Sequence, residues 1–202
     1  MPKKWLLVAL AFALPCFASR RTNWTGPYRP CLNSTELLKA GHMDIGVRFD
    51  TANAISAAAL RRALGFWSAV LDLTFHEEPS EDCAIAAVDA TPEILAKEHD
   101  VARAQFTDWE NFQGWIAFDP HISAYMSPQE IYATAVHELG HLFGLVHSTN
   151  ALSVMYYLDV DEYAILDAAD LRALGARHAI RSKVAGTMLL NEFLVVDRKT
   201  AR

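Results

Sequence analysis

The stretch HELGHLFGLVH, His137 to His147, decides how the rest of the chain is read. Its first two histidines stand four residues apart, so on a helix both imidazoles leave one face and can hold a single ion. Glu138 lies one position round. Its carboxylate cannot easily share that coordination but can reach a water on the ion, the arrangement that metal-assisted hydrolysis needs. Gly144 can adopt positive φ, end the helix and let the chain double back. That return brings in His147 as third ligand and leaves the fourth position for water. Three neutral imidazoles leave zinc its full double charge, which lowers the pKa of the water toward roughly 7 and stabilises a tetrahedral oxyanion. Chance placement of three histidines and a glutamate on a solvated helix is the competing reading. It is disfavoured because five positions are fixed over eleven residues in a segment whose helical character is signalled independently.

That signal lies just upstream. Ser127 as cap, Pro128 in the first turn and Glu130 three residues after the cap form a capping box, predicting a helix from Pro128 to about Phe143. Further toward the amino terminus, Met43, Ile45, Val47 and Phe49 alternate with Asp44, Gly46 and Arg48 as in a half-buried strand. A helix over Ile55 to Asp72 carries Leu60, Ala63, Leu64, Trp67, Val70 and Leu71 on one stripe, with Arg61, Arg62 and Ser68 off it. Leu73 to Phe75, Ala84 to Val88, Val101 to Phe106 and Trp115 to Phe118 read as further short strands. On the carboxy-terminal side, Asp167 and Asp170 at box spacing start a third helix, about Ala168 to His178, with Leu171 and Leu174 inward. The expected fold class is α/β (α+β), a small mixed sheet with three helices in one domain over 41–180.

Composition agrees with one folded domain. The 202 residues are 52% hydrophobic and 21% charged, which excludes disordered and low-complexity classes. A formal charge of −6 argues against nucleic acid or an anionic membrane as partner. The apolar run Trp5 to Ala18 is broken by Pro15 and is shorter than the roughly 20 residues of a bilayer crossing, so no membrane span is expected. Lys3 and Lys4, the apolar WLLVALAFAL and the small residues to Ala18 instead form an export signal over 1–18. Acylation of Cys16 is a weaker alternative, because Leu14 and Pro15 are a poor lead-in. The expected location is secreted, or periplasmic in a bacterium.

After cleavage, Cys31 and Cys83 are the cysteines left, and in an oxidising compartment they are expected to pair, tethering an amino-terminal arm over 19–40. A reactive or metal-binding thiol is the competing role. The arm carries two glycosylation acceptor patterns, at Asn23 and Asn33. His42, His76, His99, His121 and His178 lack ligand spacing, and surface or packing roles suit them better. The tail over 181–202 includes TMLLNEFLVVD, a strand candidate without an assigned role.

With Met155 following in SVMYY, the chain resembles the metzincin metallopeptidases, whose zinc signature is HExxHxxGxxH followed by a Met-turn. The resemblance is closest to the matrix metalloproteinase (matrixin) catalytic domain. Ser148 directly follows His147, a short loop leads to Met155, LDAADLRALGARH resembles the family's last helix, and the order of elements agrees from about Gly41 to Ile180. It implies a metzincin-like catalytic domain and a secreted, monomeric zinc endopeptidase hydrolysing peptide bonds in proteins. His137, His141 and His147 would bind one catalytic zinc, and Glu138 would be general base and later proton donor. Met155 would form an apolar floor, and an extended protein or peptide substrate would lie antiparallel to the edge strand Val101 to Phe106. Tyr157 stands where this family usually has proline. Other metzincins have a tyrosine there that binds zinc or steadies the oxyanion, and a wall of the substrate pocket is the alternative role.

The sequence also departs from the family. Its propeptide cysteine motif is missing, and RPC at Arg29 to Cys31 is a faint echo. A Cys31 thiol over the zinc would exclude its disulfide with Cys83. No ligands for a second zinc appear between Thr91 and His121. Asp159, Asp161 and Glu162 could attract calcium, but a solvated acidic loop is the stronger reading and calcium is not predicted. The rival function is a zinc-binding but catalytically idle homologue serving as a peptide- or protein-binding module. Retention of Glu138 counts against it.

Overall fold

Alternation along the first strand, β1 (Met43–Asp50), buries Met43, Ile45 and Val47. Asn53 then caps α1 (Ala54–Val70) by accepting from the amides of Ile55 and Ser56. Four strands follow: β2 (Leu73–Glu77), β3 (Ile85–Asp89), β4 (Ala102–Asp108) and β5 (Gln113–Phe118). Beyond a short 3-10 turn come α2 (Pro128–Leu142) and α3 (Ala168–Gly175). This computed structural model describes Tyr28, Cys31 and residues 41–95, 100–108, 113–157 and 164–181. The leader, Asn23, Asn33, His99, the acidic group Asp159, Asp161 and Glu162, and the tail from residue 182 lie outside the described residues.

The sheet is mixed, in the order β2-β1-β3-β5-β4. All neighbours run parallel except β4, which is antiparallel to β5 and forms one edge. Ile85, Ala87, Ile116 and Phe118 face the core shared with α1 and α2. Ala86, Val88, Trp115 and Ala117 face the other side, under Tyr28 and Cys31. Burial on both faces explains why β3 and β5 read as unbroken apolar runs rather than alternating ones. On this second face Tyr28 meets Trp115 edge-on at 5.3 Å, and Cys31 is disulfide-bonded to Cys83. The expected pairing is present, so Cys31 supplies no free thiol to cover a metal.

Two helical expectations need correction. Arg62 does not lie off the buried face of α1: its guanidinium sits 3.8 Å from the Tyr132 ring centroid on α2. A cation over an aromatic face is a stabilising contact that apolar periodicity does not encode. The Ser68 hydroxyl is likewise buried. The third helix ends at Gly175 rather than His178; a turn follows in which the Arg177 and His178 amides both bond the Leu174 carbonyl, while their side chains bond the end of α2. Trp67 locks the two long helices together, its indole N–H donating to the Val136 carbonyl at 3.1 Å.

Candidate metal centre

The capping box expected for α2 is formed in full, with the Ser127 side chain accepting from the Glu130 amide and Glu130 accepting from the Ser127 amide. Gly144 has φ 93° and reverses the chain after the helix. His137, His141 and His147 thereby come together. The Nδ1 of His137 donates to the Val154 carbonyl at 2.8 Å, and the Nδ1 of His141 donates to the Leu145 carbonyl at 3.0 Å. Carbonyl acceptors fix the proton on Nδ1 and leave Nε2 as a lone pair. The Nε2 of His141 is 3.1 Å from the Nε2 of His137 and 3.1 Å from that of His147. Lone pairs at that spacing repel unless a cation lies among them. Tetrahedral zinc with bonds of about 2.0–2.1 Å sets its ligand atoms roughly 3.3 Å apart, close to what is seen. Burial lowers the pKa of His137 to about 4 and also lowers that of His141, so both are neutral ligands near pH 7. The donor set fits zinc.

Glu138, which follows His137 on α2, is buried and accepts a 2.6 Å bond from the Ala104 amide of β4 through Oε2. Burial pushes its pKa up to about 7, aided by Asp100 and opposed by the Ala104 bond and Arg103. The Ala104 amide is thus given to Glu138 on the open side of the edge strand rather than to β5. Beneath α2, Met155 is fully buried against Gly140, where any Cβ would strike Met155 Sδ. The loop bearing Met155 is held from two sides. Ser148 N donates to the Met155 carbonyl at 2.6 Å. Met155 N donates to Ser153 Oγ at 2.9 Å, and that hydroxyl donates to Asp170 Oδ2 at 2.8 Å.

A scan against protein-family models matches the matrixin family over residues 46–176. The chain belongs to the matrixin family. No curated protein sequence matches it. Matrixins are zinc metallopeptidases that act on proteins, and the five-stranded mixed sheet with three helices is the matrixin catalytic fold. No helix among the described residues of this matrixin is long and apolar enough to cross a membrane.

Tyr157 is exposed, and its ring packs edge-on against Tyr156 at 5.0 Å. The described contacts do not bring it to the imidazoles. His42 bonds Asp72 and His76 bonds Asp44 on the surface, while His178 packs against Phe143. Among the described residues, no other group of three or more His, Cys, Asp or Glu converges as the triad does. Sequence reasoning about this matrixin missed the Ala104 amide, the carbonyls of Leu145 and Val154, and the Ser153–Asp170 bond. The first three are backbone groups and carry no residue signature. Asp170 was visible only as a helix cap.

Proposed function

We propose that the protein is a secreted zinc-dependent endopeptidase, with His137, His141 and His147 holding the ion and Glu138 acting as general base. The observation that carries this reading is the convergence of three imidazoles, with Glu138, next in sequence to the first of them, buried and bonded to the open edge of β4. When bound, zinc supplies a Lewis acid that polarises the scissile carbonyl and acidifies a water molecule. An extended substrate adds to the β4 edge as an antiparallel strand, which sets its backbone across the imidazoles. The Ala104 bond fixes one Glu138 oxygen, and the other takes the proton of the attacking water and returns it to the leaving amine. Burial, which favours the protonated carboxyl, helps Glu138 hold the proton between the two halves of that task. The exposed Tyr157 hydroxyl is proposed to steady the oxyanion once substrate is seated, a wall of the substrate pocket being its other reading. The export signal and the disulfide support an extracellular setting.

The test is cleavage of an unfolded protein by the mature chain and by Glu138→Ala, with zinc content measured on both. Glu138→Ala is expected to lose about 10²–10⁴-fold in kcat while retaining zinc. Equal cleavage by both forms would overturn the role of Glu138. A zinc-loaded wild-type chain that cuts nothing would overturn the peptidase reading.

A further inference from the structure

Three consecutive carbonyls close the turn between the second and third histidines, and each is taken by a side chain. His178 Nε2 donates to the Phe143 carbonyl at 2.9 Å, Arg177 donates to the Gly144 carbonyl, and His141 Nδ1 donates to the Leu145 carbonyl. Two of the three donors come from the segment after α3, just past the matched residues 46–176. Such donors suit the site, because a helix end presents unpaired carbonyls and partial negative charge that a cation relieves.

The turn itself is permissive. Gly144 at φ 93° has no side chain to fix its torsions, and Val146 is 79% exposed and held by no core contact. Backbone bonds from Gly144 N to the His141 carbonyl and from Leu145 N to the Gly140 carbonyl shape the turn, and Phe143 and Leu145 are buried in the core. His147 follows two residues beyond Leu145, so the path of the backbone at Phe143 and Gly144 bears on where its imidazole arrives. The His178 ring also meets Phe143 edge-on at 6.0 Å, and Phe143 is anchored 5.2 Å from Trp67. The donors therefore connect the turn to the core.

We propose that Arg177 and His178 are positioning residues for the metal centre, a paired clamp on the Phe143 and Gly144 carbonyls that sets where the His147 imidazole arrives. Neither touches the ligand nitrogens; both act through the backbone between His141 and His147. The inference rests on the reading of the three histidines as the metal site.

The full mature chain, loaded with cobalt(II) in place of zinc, provides a visible spectrum that reports ligand geometry, and chelator competition provides affinity. Arg177→Ala and His178→Leu are expected to weaken metal binding about 10-fold or more and to alter the spectrum. His178→Gln keeps a side-chain amide donor and is expected to bind nearly as the wild type does. In a His147→Ala background, Arg177→Ala is expected to bring no further loss, because its effect passes through the missing imidazole. Wild-type affinity and spectrum in Arg177→Ala and His178→Leu would overturn the clamp, as would an undiminished effect of Arg177→Ala without His147. A wild-type chain that binds no cobalt would overturn the metal-centre reading and the clamp with it. Cobalt binding by the wild type with unaltered variants would overturn the clamp alone.

Discussion

One hydroxyl separates Tyr157 from phenylalanine, and that atom distinguishes an oxyanion donor from a pocket wall. Tyr157→Phe is expected to lower kcat by about 10²-fold at unchanged KM, measured on a defined peptide. A change confined to KM would assign the ring to the wall. At this scale the three histidines and Glu138 were legible because helical periodicity alone places positions 137 and 141 on one face, and Gly144 announces the reversal. Their partners were not legible. The Ala104 amide and the carbonyls at Leu145 and Val154 belong to the backbone, which every residue carries, so only the folded chain reveals which ones meet a side chain. Arg62 is illegible for a related reason, since a charged residue beside an apolar stripe resembles a solvated one until the Tyr132 ring is placed under it.

Elements were easier to read than their junctions. The capping residues Ser127 and Asp167 marked where α2 and α3 begin, because an exposed first turn must find acceptors locally. Helix ends are less marked in sequence, and α3 passes at Gly175 into a turn whose Arg177 and His178 amides both bond the Leu174 carbonyl. Close approach between elements is also written in a single glycine. In α2 a Cβ at position 140 would collide with Met155 Sδ and lie 3.3 Å from Trp67 Cζ2. Gly140→Ala gains up to about 1 kcal/mol of helix propensity, but overpacking opposes this by about 1–3 kcal/mol. The expected outcome is net destabilisation, checked as a lower urea midpoint with an unchanged m-value.

Across the whole molecule, the sheet separates two tasks. Its helical face supports the imidazoles, and its other face is closed by Tyr28 and the Cys31–Cys83 bond. That bond spans 52 residues and is worth about 2–4 kcal/mol through restriction of the unfolded chain. Reduction, or Cys83→Ser, is expected to lower the Tm by several degrees while leaving metal stoichiometry unchanged, as calorimetry and metal analysis would show. The cysteine count made this pairing legible, whereas the face it covers was not. The α3 cap has a wider reach than its size suggests, because one oxygen, Asp170 Oδ2, accepts from both the Asp167 amide and the Ser153 hydroxyl beneath Met155. The Met155 loop and the last helix, joined by this bond across 17 residues, are therefore expected to open as one unit. Deuterium uptake at the Met155 and Asp167 amides should follow a shared rate, so that fraying of the last helix and loosening of the floor under the imidazoles are the same event.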